Sequence, residues 1–539
     1  MFSKRPKDDS TNPAPTEVYN WRIYALAASA AMGSAMFGYD SAFIGGTMSL
    51  PAFMSRFHLA TASGDQLAAL KANIVSTFQA GCFFGVIFCY LLTEKIGRRW
   101  LLIYCGAIFD IGAVLQLVSP GILGLIYAGR AFTGIAVGAS SMIVPVYISE
   151  SCPPAVRGRL IGIFEIFIQV AQIFGFWVNY GVNLNVSPTS DSQWHIPFAL
   201  QLIPGTLLCI CMFFQPESPR WLLNAKRTDD ARKVLSYLRN LPEDHEYLSW
   251  EINTVLQQVE HEHAVVSNKN FIGKLREIGL PANRNRLLMG IALMLIQNMS
   301  GINALNYYSP SIFKAIGFTG TSVGLLATGI FGIVKAGATA IFMIWGIETL
   351  GRRRALLIGS VGAMISLYYI GAYTKVTNSF SANAAANSTK DAAAYIAIVM
   401  IYVFAVFYAM SWNGIPWIFC SAEVFPMAIR STCLLFTTCA QWLGQFIIVY
   451  STPYMMENIK WGTFILFGSA VLFGVIFTFT LIPETKGLSL EDMDILFSQS
   501  GLGLTWRKKT DAILAERREE GIANVLSEVK QDVAHLEKV

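Results

Sequence analysis

Asp40 stands in an otherwise apolar stretch, residues 23–50, and Arg130 stands in another, residues 121–146. A charge in hydrocarbon is costly unless it meets a partner or a water-filled path, so ionisable residues at such depth mark ion or substrate routes. A carboxylate held against a guanidinium can be released by one proton. The chemistry expected is therefore proton-dependent breaking of an ion pair between two helices.

No other constellation suggests bond-making chemistry. The nine cysteines lie mostly in apolar stretches, as at Cys82, Cys89, Cys105, Cys209, Cys433 and Cys439, and read as small hydrophobes without zinc-ligand spacing. The histidines do not cluster, and His261 and His263 fall in a polar insert. Phosphate loops, nucleophile elbows and metal-binding helices are missing, so neither an enzyme nor a cofactor is expected.

The elements that must position Asp40 and Arg130 follow from composition. Of 539 residues, 54% are hydrophobic and 14% charged, with mean hydropathy +0.47, which no soluble core could absorb. Apolar stretches of roughly 20 residues match a bilayer core of ~30 Å. They predict spans at 23–50, 70–93, 101–118, 121–147, 160–182 and 196–214, then 287–313, 323–347, 355–373, 395–419, 433–450 and 462–482. Basic residues Lys95, Arg98, Arg99, Arg157, Arg159, Arg352, Arg353, Arg354 and Arg430 gather in alternate connections, which places those sides and both termini in the cytosol. The net charge of +5 reflects this loop bias and gives no support to nucleic-acid binding.

The predicted units are a disordered cytosolic tail at 1–18, a six-span bundle at 19–215, a cytosolic helical linker at 216–286, a second six-span bundle at 287–487 and a cytosolic tail at 488–539. Helices are expected in the linker at 229–241 and 247–261, and a short one at 489–497. Gly134 and Gly138 read as a close helix contact, and Asn387 as a glycosylation acceptor in an outward loop.

The chain repeats itself. Glu94-Lys-Ile-Gly97-Arg98-Arg99 returns as Glu348-Thr-Leu-Gly351-Arg352-Arg353, Glu150 to Arg157 as Glu423 to Arg430, and Pro216-Glu217-Ser218 as Pro483-Glu484-Thr485. Three landmarks in register make two related halves, a transporter plan with the substrate between them. These motifs, with Gly129-Arg130, Gln297 through Asn303-Ala-Leu-Asn-Tyr307-Tyr308 and Pro416-Trp417, resemble the sugar porters of the major facilitator superfamily. Within that family, Gly38-Tyr39-Asp40-Ser41-Ala42-Phe43-Ile44-Gly45 and Ser411-Trp-Asn-Gly-Ile-Pro416-Trp417 resemble the fungal quinate and sugar-acid permeases.

The resemblance implies an all-α membrane fold of twelve helices in two pseudo-symmetric bundles. It implies a cytosolic latch, closed when the cavity opens outward, of Arg98, Arg99, Glu150 and Arg157 with Arg352, Arg353, Glu423 and Arg430. It implies substrate contacts from Gln297, Asn298, Asn303, Tyr307, Trp417, Gln441 and Trp442, in which amides serve hydroxyls and an indole covers a ring face. Two departures from the family pattern stand out: Glu165 replaces a Gln, and Lys335 replaces an Asn. Glu165, Gln169, Gln172 and Asn179 share one helical face that should line the cavity. Lys335 either pairs with Glu165, leaving a site for neutral sugar, or receives a substrate carboxylate.

The function expected is proton-coupled uptake of a monosaccharide or of a sugar acid such as quinate, by alternating access across the plasma membrane. Asp40 and Arg130 would couple the proton, with Glu165 as a second proton site. A facilitative uniporter and a non-transporting sugar receptor are the alternatives. Asp40 argues against the first, and a tail of only about 57 residues after Ile482 against the second.

Overall fold

In lipid every backbone N–H and C=O must find a partner within the protein, which leaves helices or closed barrels. The computed structural model takes the first solution, with no strand among the described residues. Those residues are 15–62, 64–265, 271–316, 320–377, 392–420, 424–426, 428–486, 496–497, 512 and 515. The expectations for Asn387, Glu423, residues 489–495 and most of the C-terminal tail fall outside them.

Twelve long helices carry the fold. The first six are α1 (Trp21–Thr47), α2 (Gly64–Ile96), α3 (Arg98–Leu117), α4 (Leu123–Ser151), α5 (Pro154–Asn185) and α6 (Ser192–Phe213). The second six are α7 (Pro281–Lys314), α8 (Thr321–Gly346), α9 (Arg352–Val376), α10 (Ala392–Ala409), α11 (Arg430–Asn458) and α12 (Gly462–Leu481). Eleven are long and apolar enough to cross a membrane; α1, at 27 residues, is diluted by Ser29, Ser34, Asp40 and Ser41.

Two predicted spans are not continuous. Helix α7 breaks at Gly301, whose φ of +85° belongs to the left-handed region that favours glycine. Helix α10 stops at Ala409, and a separate turn of helix, Ile415–Ile418, follows. Both breaks free backbone and side-chain groups toward the centre of the molecule, where a protein-lined cavity can tolerate irregular backbone.

Glycines set the close approaches. A Cβ on Gly134 or Gly138 would lie 2.2 Å from the Phe78 carbonyl or 2.0 Å from that of Cys82, so α4 and α2 touch backbone to backbone as expected.

The repeated Gly-Arg-Arg and Pro-Glu landmarks prove to be one device used twice. Glu217 accepts hydrogen bonds from the backbone N–H groups of Arg98 at 2.9 Å and Arg99 at 3.1 Å, capping the start of α3 from outside its own segment. Glu484 does the same for Arg352 at 2.9 Å and Arg353 at 3.2 Å at the start of α9. Gly97 and Gly351 leave the room: a Cβ there would stand 2.5 Å and 2.7 Å from the capping carboxylate, and both have φ above +79°. A carboxylate at a helix N-terminus meets orphan donors and a favourable dipole. Burial nevertheless pushes the Glu217 carboxyl above the usual range, against the opposing pull of backbone N–H bonds from Ser218, Arg99 and Arg98. Glu217→Ala will destabilise the folded carrier by about 2 kcal/mol, read as a lower melting temperature of the detergent-solubilised protein by fluorescence-detected gel filtration.

The linker forms the expected helices, Thr228–Arg239 and Glu246–Val265. Part of the tail expected to be disordered is built into it: Thr16–Val18 forms a helical turn, and Val18 is buried with Leu222, Leu235 and Ile252. Asn20 donates to the Leu238 carbonyl at 2.9 Å and Arg22 to that of Tyr237 at 2.7 Å. Buried Arg239 pairs with Glu251 at 2.6 Å and donates to the Ser151 carbonyl at the end of α4, tying the linker to the first bundle.

Candidate functional site

Asp40 on α1 and Arg130 on α4 form an ion pair in which both side chains are fully buried. Arg130 is further fixed by the Ile74 carbonyl at 3.1 Å and by the Phe78 ring, 4.8 Å from its guanidinium carbon. Gln201 on α6 donates to the second Asp40 oxygen at 2.7 Å, a contact that the sequence reading missed. A lone amide within an apolar span was the available signal. Its own carbonyl oxygen is buried and unbonded, so the amide is equipped to accept from a protonated Asp40 after turning over.

Between the two bundles lies a cavity lined largely by polar side chains. From α5 come Glu165, Gln169 and Gln172; from α7, Gln297, Asn298, Asn303 and Asn306; from α8, Lys335. Gln441 and Gln445 enter from α11, Tyr408 from α10, and Asn413 with Trp417 from the break beyond it. The broken α10 also turns the Trp412 and Asn413 carbonyls toward Gln297, whose amide donates to them at 2.7 Å and 3.3 Å. The Gln297 carbonyl oxygen is buried and unbonded.

Glu165 and Lys335 line the same space without pairing. Glu165 accepts from Gln169 at 2.8 Å and Asn413 at 2.6 Å, whereas the Lys335 ammonium donates to the amide oxygens of Gln172 at 2.9 Å and Asn306 at 3.5 Å. Among the described residues no ion pair joins them. Lys335 reaches α5 because Gly329 and Gly332 let Trp177 and Phe176 pack directly on α8. The cavity thus holds a cation whose charge no nearby carboxylate neutralises by contact.

Three expected cavity residues stand elsewhere. Trp442 is fully buried between the bundles, its indole nitrogen donating to Ser141 at 3.2 Å and its ring against Phe37 and Phe78. Tyr307 lies behind the cavity wall, where its hydroxyl accepts from Gln445 at 3.3 Å. Asn179 crosses to α1, bonded to the Phe43 carbonyl at 2.7 Å and to Thr47 at 2.8 Å. A straight helix cannot follow a cavity over its whole length, so its polar face passes from open space into a neighbour.

Where the repeated arginine motifs gather, Arg98 bridges Glu150 at 2.9 Å and Glu94 at 3.0 Å, and Ser218 donates to Glu150 at 2.6 Å. The Arg99 side chain donates to the carbonyls of Met212 and Phe213, Arg353 to Phe479, and Arg430 to Phe425. Each of these bonds stays within one half. Glu94, four residues before Arg98, and the capping Glu217 and Glu484 belong to this network and were not assigned from sequence; capping from a distant segment has no local signature. The Arg157 side chain lies outside the described set.

Residues 26–497 match the family model described as sugar (and other) transporter. The chain belongs to that family. Proteins named probable quinate permease, from Aspergillus fumigatus and Aspergillus niger, are 43% identical over 515 and 513 residues, spanning 94% of this chain and 92% and 93% of theirs. The solved proton:xylose symporter XylE bound to 6-bromo-6-deoxy-D-glucose superposes with a TM-score of 0.72 at 24% identity, covering 88% of this chain and 99% of that one. A partially occluded inward-open form of XylE from E. coli gives 0.70 at 23%. This chain is a multi-pass membrane transporter with the major facilitator fold, not an enzyme.

Proposed function

We propose that this transporter imports a small polyhydroxylated carboxylate of the quinate or sugar-acid type together with protons, across the plasma membrane, with both termini in the cytosol. The observation that carries the reading is the buried Lys335 ammonium, held in the cavity by amide oxygens alone among the described residues. A substrate carboxylate supplies the charge that those amides lack. Gln169, Gln297, Asn303 and Gln441 offer donors and acceptors to ring hydroxyls, and Trp417 a flat apolar face. The names of the quinate permease relatives agree with this substrate class.

Coupling rests on Asp40. Ionised, it ties α1 to α4 through Arg130; protonated from outside, it releases the guanidinium and lets substrate-bound halves close. The cytosolic arginine and glutamate cluster then serves as the latch of the outward-facing state, re-forming across the halves with each cycle. A uniporter would have no use for a buried acid held in this way.

Uptake of labelled quinate, galacturonate, glucose and xylose by a transporter-null yeast, with external alkalinisation recorded, tests both parts. Quinate or galacturonate should enter with alkalinisation; uptake of neutral sugars alone would reject the anion reading. Charge balance adds a further expectation. One proton with a monoanion moves no net charge, so voltage drive requires a second proton, for which Glu165 is placed. Glu165→Gln should lower the proton-to-substrate ratio and remove voltage sensitivity; an active variant with the wild-type ratio would take that role from Glu165.

A further inference from the structure

Just before α7 the chain forms a short helix, Phe271–Ile278, that leaves most of its apolar side outside the protein. At 3.6 residues per turn its sequence puts Phe271, Ile272, Leu275 and Ile278 on one face, with Lys274 and Arg276 bordering that face on either side and Glu277 opposite. The polar side is tied down: Asn283, in the first turn of α7, donates to the Glu277 carbonyl at 3.1 Å and to its carboxylate at 3.3 Å. Of the apolar face only Ile278 is buried. Ile272 is 78% exposed, and Phe271, Leu275 and Leu280 are exposed beside it. A helix of 8 residues is marginal in water without a surface to dock on, so this patch calls for one.

The depth of the helix tells which surface that is. Phe271 packs edge-on against Tyr90 of α2, ring centres 5.9 Å apart, about two turns before α2 ends at Ile96. Around that level α2 turns Phe88, Leu91 and Leu92 outward, and α7 turns out Leu288, all apolar and exposed on helices long enough to cross a membrane. The patch therefore continues the flank that the bundles present to lipid. Exposed Lys95 and Arg284 stand at the same ends of α2 and α7, where lipid headgroups lie. We infer that residues 271–278 are an interfacial anchor lying along the membrane surface, with Ile272, Leu275 and Leu280 at the acyl boundary and Lys274 and Arg276 on the headgroups of anionic phospholipid. The anchor sits where the bundles meet: Phe271 holds Tyr90 of the first, whose hydroxyl meets Thr432 of α11 at 3.0 Å, while the chain runs on through Leu280 into α7 of the second. Only the assignment of this surface to the cytoplasmic leaflet rests on the orientation proposed above.

Hydrogen exchange of the full-length carrier in nanodiscs of phosphatidylcholine, with and without about 30% phosphatidylserine, tests the anchor whichever way the carrier faces. A basic residue at an anionic surface is worth about fivefold in binding, so two give up to roughly thirtyfold, and less in high salt. The amides of 271–278 should exchange at least tenfold slower in the anionic discs. The double variant Lys274→Gln, Arg276→Gln should lose that difference while remaining monodisperse, and Ile272→Gln should exchange fast in both lipids. None of these positions lines the cavity or touches the Asp40 pair, so quinate uptake is a separate readout, and its failure in wild type would remove the proposed function while leaving the anchor in place. Wild-type exchange within twofold in the two lipids, or a slowing that survives in the double variant, would overturn the anchor. Protection equal in both lipids and lost on dilution would also overturn it, by giving the patch to a second copy of the chain.

Discussion

Asp40→Asn will abolish accumulation of substrate against its gradient while counterflow exchange remains measurable. In the proposed scheme the buried acid converts a proton gradient into a change of helix contact, and asparagine keeps its shape without its charge. For a substrate that moves with one net positive charge, ~100 mV contributes ~2.3 kcal/mol, roughly a 40-fold gradient. A monoanion moving with one proton draws only on the pH difference, about tenfold per pH unit. In either case the variant's limiting ratio falls to what voltage and substrate charge alone allow. Leaving Arg130 without its carboxylate costs about 3–5 kcal/mol in a buried site. Bonds to the Ile74 carbonyl and the Phe78 ring hold the guanidinium, so surface delivery is the control to run first. Wild-type accumulation by Asp40→Asn would contradict the coupling scheme.

Lys335→Gln will raise the KM for quinate roughly 100-fold. A buried, charge-assisted contact to a carboxylate is worth about 3 kcal/mol, which is two powers of ten in affinity. Glutamine retains a donor for Gln172 and Asn306, so the helix contact survives and the loss reads out the charge. Any binding of neutral polyols should change far less. A quinate KM within threefold of wild type would remove the carboxylate from Lys335.

The spans and the Asp40–Arg130 pair were legible because a membrane punishes misplaced charge, and the punishment leaves a one-dimensional trace. Repeats were legible for a similar reason: the Gly-Arg-Arg and Pro-Glu strings recur at matching distances from the spans. What those strings accomplish was not, since Glu217 caps α3 from a connection more than 100 residues away. Within the site, Glu165 and Gln169 could be placed by helical phase, and Lys335 by its departure from the family pattern. Gln445 and Tyr408 carried no signal, and Asn306 and Asn413 stood in strings noted only for their family likeness. The breaks at Gly301 and after Ala409 decide where those asparagines aim. Trp442 and Tyr307 show the converse error. Being polar-tipped and deep in a span does not say whether a residue meets open space or a neighbouring helix.

The seam along which the bundles must part is held by small, mostly neutral contacts. Tyr90 meets Thr432 at 3.0 Å, Ser141 meets Trp442 at 3.2 Å, Gln172 meets Lys335 at 2.9 Å, Asn183 meets Ser322 at 2.8 Å and Glu165 meets Asn413 at 2.6 Å. No ion pair crosses it among the described residues. The neutral contacts can be exchanged for contacts with water at a net cost of about 1 kcal/mol or less each, and the two made by Lys335 and Glu165 at about 1.5–3 kcal/mol. Turnover should therefore respond steeply to anything that dries the interface, so osmolytes are agents that will slow this carrier's rocking.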